Sequence, residues 1–179
     1  MGIKNFLLSH EPFKPIHIGP WVRVAYFKRY IPRYIHSSRT KHILDAGCGR
    51  GVYSRLLAQL LPHARISAVD ILPVKEWEHP PSNLTFSVQD LQNLDQESEY
   101  DLVISVDVLE HISNNIDVIQ RIVTALRPGE YFYLAVPCES QEQYIFSKER
   151  FARFQEWEKD EHVGEQHTYG ALSDILKRA

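Results

Sequence analysis

The chain has 179 residues, 44% of them hydrophobic and 24% charged, with 8 glycines and 10 prolines. That is length for one domain with a sizeable core, and it excludes a disordered or collagenous chain; two cysteines, Cys48 and Cys138, also exclude a disulfide scaffold. The formal charge of -3 hides an asymmetry, because residues 1–42 hold eight Lys and Arg against one acid and the rest holds twelve against twenty-two. Overall acidity argues against a general nucleic-acid binder, so no nucleic acid is expected as partner. No apolar run approaches the roughly 20 residues of a membrane helix, and Met1-Gly2-Ile3-Lys4-Asn5 lacks a signal-peptide core, so a soluble cytoplasmic protein is the expectation.

Residues 1–20, with Pro12, Pro15 and Pro20 among aromatics, read as an extended leader. From Trp21 to Ile35 the apolar Val24, Phe27, Ile31, Tyr34 and Ile35 recur at helical spacing among Arg23, Lys28, Arg29 and Arg33. This predicts a basic amphipathic helix, broken or kinked near Pro32. Its charge suits a cap, an acidic partner or a peripheral membrane contact, against the plainer reading of a solvated face.

Beyond Ser37-Ser38, strands are predicted at His42–Ala46, Arg65–Val69, Leu84–Val88, Tyr100–Val106 and Tyr131–Val136. Helices are predicted at Gly51–Leu61, briefly near Val74–Glu78, and at Asn115–Leu126 up to the stop signal Pro128-Gly129. Such alternation predicts an α/β domain, a parallel sheet covered on both faces. We therefore divide the chain into a leader with basic helix, 1–40, and a main domain, 41–179. Residues 139–179 read as a charged, aromatic-bearing helical stretch and a last helix, Tyr169–Lys177, with no strand after it.

The most informative segment is Ile43-Leu44-Asp45-Ala46-Gly47-Cys48-Gly49-Arg50-Gly51, a buried strand running through a G-x-G-x-G turn into a helix. Glycines there allow close approach of backbone to ligand, and the helix start offers free N–H groups and a positive dipole end. The dinucleotide fingerprint needs a glycine at position 52, which is Val, so a nicotinamide oxidoreductase is disfavoured. Asp70, about 20 residues on, ends the second predicted strand where a ribose diol would lie, and Asp90 ends the third. Each acid alone could be a helix cap or a solvated residue; their joint placement behind a glycine loop points to a nucleoside site.

Four segments carry a resemblance: Leu44–Gly51, Val69-Asp70, Tyr100–His111 and Leu126-Arg127-Pro128-Gly129. With these, residues 41–137 resemble class I S-adenosylmethionine-dependent methyltransferases of the small-molecule type, such as those of ubiquinone and menaquinone biosynthesis. The resemblance implies a Rossmann-like, doubly wound, mostly parallel sheet of order 3-2-1-4-5 and S-adenosyl-L-methionine as cofactor. It implies Asp45, Gly47, Cys48 and Gly49 around the methionine moiety, Asp70 and Ile71 at the ribose, Asp90 and Leu91 near adenine, and Asp107 beside the methionine end. Cys48 is assigned no nucleophilic role. No metal is called for. The complete family fold adds strands 6 and 7, for which no candidate is seen here; a fragment, or an edge covered by the leader or by a second copy in a homodimer, would account for that.

Methyl transfer is an in-line displacement needing alignment and exclusion of water. A base helps only where the acceptor must lose a proton, and His111 is the first candidate, against a purely structural role; His162 and His167 are weaker ones. In relatives the segment after strand five covers the acceptor pocket; here it is Cys138–Tyr169, where Tyr144, Phe146, Phe151 and Trp157 could line it or be core. Nucleic-acid amino-methyltransferases place Asn or Asp, then Pro-Pro and an aromatic after strand four. Asp107-Val108-Leu109-Glu110 departs from that, so a small-molecule acceptor is expected, with transfer to oxygen, carbon or nitrogen. The competing reading is a non-catalytic partner that keeps the fold.

Overall fold

The computed structural model describes residues 18–35, 39–136, 163–164 and 167–178. The chain divides into two compact units, Met1–Ile35 and His36–Ala179. Within the first, helix α1 spans Ile18–Tyr34, carries no acidic residue in its first turn, and buries Phe27 and Ile31 one turn apart. One sequence expectation needs correction there. The extended leader does not reach residue 20, because Gly19 and Pro20 already lie in the first helical turn, where proline is tolerated since its N–H would lack a partner anyway. Pro32 lies in the last turn of the helix, which runs on to Tyr34; a proline this close to the C-terminus removes one ladder bond, and Ile35 N–H still donates to Ile31 O at 3.1 Å. Residues 1–17 lie outside the described residues.

In the second unit five strands form one sheet: β1 His42–Ala46, β2 Arg65–Asp70, β3 Leu84–Val88, β4 Tyr100–Val106 and β5 Leu126–Ala135. Their order is β3-β2-β1-β4-β5, and every pairing among them is parallel. The central strands are buried nearly throughout while β3 at one edge is mostly exposed, which is why β1 and β4 are predominantly apolar without the alternation of a half-exposed strand. Helix α2, Val52–Leu60, packs on β2 and β3; helix α3, Asn115–Ala125, packs on β5 and on the 3₁₀ turn Leu91–Asn93.

Successive side chains of β1 point to opposite faces, so each face receives its own helices. Leu44 and Ala46 join Val118, Ile119 and Ile122 of α3 in one cluster, against which Leu172 and Ile175 of helix α4, Tyr169–Arg178, also pack. Asp45, on the other face, meets Ser54 of α2. The sheet is thus covered on both sides, the doubly wound arrangement.

The fifth strand departs from expectation. It begins at Leu126, directly after α3, and ends at Ala135 rather than spanning Tyr131–Val136. Leu126 pairs with Tyr100 and Tyr131 with Leu102, so four residues of β5 oppose the single Asp101. Pro128-Gly129 stops the helix as expected but then forms a bulge inside the strand, where Gly129 takes φ 84°. The short piece expected near Val74–Glu78 is a 3₁₀ turn, Lys75–Trp77.

Candidate functional site

Parallel strands that all end on the same edge bring distant residues together there. At the carboxyl edge of β1, β2 and β4 lies a cavity of about 560 Å³. Of the residues singled out from sequence, Gly47, Cys48, Gly49, Asp70, Ile71, Asp90, Leu91, Asp107 and His111 line it. Asp45 does not.

The turn after β1 depends on a missing side chain. Gly47 adopts φ 83°, and a Cβ on it would stand 2.4 Å from a methyl of Val108, so the turn packs directly against the segment following β4. Gly47 and Cys48 N–H both donate to Val69 O at 2.9 Å, tying this turn to the end of β2. Asp70, the next residue along, accepts from Gly49 N–H at 2.7 Å through Oδ2. Asp90 caps the 3₁₀ turn Leu91–Asn93, accepting from Gln92 N–H at 2.9 Å.

Asp45 sits beneath the loop. It is 2% exposed and accepts from Ser54 Oγ at 2.5 Å and from the Ser54 N–H, capping a helix whose own cap residue, Gly51, offers no side-chain bond. Burial pushes its carboxyl up to about 7, against the lowering by Ser54. Cys48 is likewise held as a thiol: burial, then the charges of Asp45 and Asp70, push its pKa up, which suits the absence of a nucleophilic role.

The other wall follows β4. Asp107 adopts φ 55°, costly for a residue with a Cβ, and its N–H donates to Ala135 O at 2.9 Å. Burial and then the charge of Asp107 push the Tyr133 hydroxyl up, which puts β5 within electrostatic reach of this carboxylate. His111 closes the 3₁₀ turn Leu109–His111, is exposed and lines the cavity.

Of the weaker histidines, His167 lies 3.2 Å from Asn115 Oδ1 through its Nε2 and does not line the cavity. His162, Cys138, Tyr144, Phe146, Phe151 and Trp157 lie outside the described residues. Sequence reasoning missed Val108 and Val163. Val108 could have been found from the positive-φ glycine that must pack on something; Val163 is brought in by the close approach of Gly164, whose N–H donates to Glu110 O at 2.8 Å, and no local signal marks that. Among the described residues no cluster of three metal-ligating side chains occurs, and no helix is long and apolar enough to cross a membrane.

The donor set can be tested against S-adenosylmethionine. A carboxylate at the end of β2 suits a ribose diol, and Asp70, Asp90 and Asp107 make the rim electronegative, as a sulfonium requires. The glycine turn leaves the backbone within reach of a ligand. These residues fit the group.

Comparison with known proteins agrees with the fold. A methyltransferase-domain family model matches residues 23–179. The malonyl-[acyl-carrier protein] O-methyltransferase 1 of Ilyobacter polytropus is 29% identical over 102 residues, covering 54% of this chain and 38% of that protein. The ubiquinone biosynthesis O-methyltransferase of Coxiella burnetii is 24% identical over 141 residues, covering 75% and 57%. The chain thus spans about half the length, or less, of these relatives. In fold it resembles the Haemonchus contortus phosphoethanolamine N-methyltransferase 2 in complex with S-adenosyl-L-methionine, with a TM-score of 0.67 at 20% identity over 86% of this chain and 36% of that one. A parallel sheet of order 3-2-1-4-5, a glycine turn behind its first strand and a family match over most of the length converge on one conclusion: the chain belongs to the methyltransferase-domain family.

Proposed function

We propose that this protein transfers a methyl group from S-adenosylmethionine to an oxygen, carbon or nitrogen of a small-molecule acceptor. The observation that carries the reading is the convergence of Gly47, Gly49, Asp70, Asp90 and Asp107 on one cavity at the carboxyl edge of the sheet. When bound, the cofactor supplies a methyl on a sulfonium and leaves as S-adenosylhomocysteine. The chain's own part is positioning. Asp70 takes the ribose hydroxyls, the backbone at Gly47 and Gly49 receives the methionine moiety, and Asp90 with Leu91 faces the base. Asp107 offsets the sulfonium charge from the β4 side.

His111 stands on the same side as Asp107 and takes the acceptor's proton where the attacking atom carries one. Ile112 and Val163 give this side an apolar wall that limits water. The names of the relatives, O-methyltransferases of ubiquinone and malonyl-carrier substrates, support oxygen as the first acceptor atom to try.

The test is calorimetric titration with S-adenosylhomocysteine, with NAD as control, followed by turnover assays with a labelled methyl donor. Saturable binding of S-adenosylhomocysteine alone supports the reading. Failure of the folded chain to bind it sinks the reading, and tight NAD binding instead would restore an oxidoreductase. Binding with no turnover on any acceptor would favour the non-catalytic partner.

A further inference from the structure

The loop between β2 and β3 does not line the cavity beyond Leu72, yet it grips the glycine turn from outside. Trp77 Nε1 donates to Gly49 O at 2.8 Å. On the other side of the same Cα, Gly49 N–H donates to Asp70 Oδ2 at 2.7 Å. Two successive peptide planes are therefore pinned, one by a carboxylate on the rim and one by an indole behind it. A glycine reaches positive and negative φ with similar ease, so without such pins the plane after Gly49 could turn over and exchange its carbonyl for its N–H.

The indole is itself held. Its ring stacks on Phe86 at 5.2 Å between centroids and 8° between planes. Phe86 fills the space a Cβ on Gly51 would need, 2.5 Å away, and Arg55 of α2 lies over its ring at 5.6 Å. Arg55 also donates to Glu76 O at 2.7 Å and to Glu78 O at 3.0 Å, fastening the backbone on either side of Trp77. Arg50, next to Gly49, pairs with Glu76 at 3.5 Å.

We infer that Trp77 is a positioning residue which presets the Gly49 peptide for the methyl donor, acting through the backbone without touching the ligand. The inference rests on the reading of the cavity as the donor site. A turn already held in its binding conformation loses less freedom when a ligand arrives, so the clamp raises affinity without adding a contact.

Trp77→Phe keeps an aromatic ring against Phe86 and removes the N–H together with part of the stacked indole, so a readout at the glycine turn and one of overall stability are both needed to separate the clamp from general packing. Two measurements decide. In ligand-free protein, hydrogen exchange at the amides of residues 48–52 is expected to quicken about fivefold, the weight of one hydrogen bond, with exchange in β1 and β4 unchanged. Calorimetry with S-adenosylhomocysteine is expected to show affinity reduced about fivefold or more, with the thermal midpoint of the ligand-free variant close to the parent's. A parent that binds no S-adenosylhomocysteine, in a protein whose loop does loosen on substitution, sinks the donor-site reading and leaves the clamp standing. Unchanged loop exchange, or an affinity equal to that of a binding parent, overturns the clamp.

Discussion

The two ends of the central strands use the same side chain in opposite ways. At the amino end Asp101, opening β4, accepts from Lys41 N–H at 2.7 Å and His42 N–H at 2.9 Å and pairs with Arg127. Burial alone would raise its carboxyl, but these donors outweigh it and hold the group below the ordinary range. At the carboxyl end Asp70, Asp90 and Asp107 reach the cavity, while Asp45 is buried behind them with only Ser54 to lower it. Asp101 has both oxygens taken by donors away from the cavity and acts as a structural joint, whereas Asp70 and Asp90 each accept a backbone N–H and still border the cavity.

The sharpest way to break that contrast is pH. Asp45 has a folded pKa of about 7 against 3.8 unfolded, so the folded state holds its proton longer and stability falls as pH rises through that window. At about 1.4 kcal/mol for each unit, the decline is on the order of 4 kcal/mol between pH 4 and 8. Asp45→Asn should flatten it, as read by urea unfolding at each pH. Asp101 contributes the reverse slope: its stabilisation is full above the unfolded value and is lost as pH falls through the lowered folded one. Parallel pH profiles for parent and Asp45→Asn would dissolve the distinction between the two ends.

Next in size is Gly47→Ala. Positive φ and the 2.4 Å approach of Val108 together predict a loss of about 2–4 kcal/mol in stability, with binding of S-adenosylhomocysteine abolished or nearly so. Asp101→Ala should cost about 3 kcal/mol of stability, leaving two N–H groups and Arg127 without their acceptor, and should not change ligand affinity. Asp70→Ala should weaken S-adenosylhomocysteine by about 1–2 kcal/mol in calorimetry and, because Gly49 N–H loses its exposed acceptor, cost about 1 kcal/mol or less in unfolding, less than Asp101→Ala. If both aspartate variants moved affinity and stability alike, the two ends would not differ in function. Arg50→Ala, which removes only the exposed pair with Glu76, should change stability by about 0.5 kcal/mol or less.

Much of the framework was legible beforehand because each signal is local. The run from Tyr100 to Val106 is mostly apolar since a central parallel strand is buried on both faces, and its bounds came out as expected. The G-x-G-x-G turn after β1 marks itself, because its three positive-φ positions are glycines, and the alternation of strands and helices implies that the acids ending β2 and β3 share an edge with it. β5 was misread at its start because Pro128-Gly129 marks a helix stop without showing that the strand has already begun before it and bulges there; the pairing of Leu126 with Tyr100 shows that it has. Trp77 gave no signal at all, as an aromatic in a loop carries no periodicity.

By itself, then, the order of residues determined the element types, the doubly wound class and the edge on which the site lies, since these follow from hydrophobic period and turn chemistry along contiguous stretches. Which carboxylate would be buried and which would face the cavity was left to the tertiary structure. Asp45 and Asp101 are alike as letters, and their charge depends on burial and on donors such as Ser54 and Arg127 contributed from other segments. The clamp on Gly49 belongs to that second class for the same reason: it is a contact across 28 residues of chain that exists only once β2 and α2 have been laid side by side.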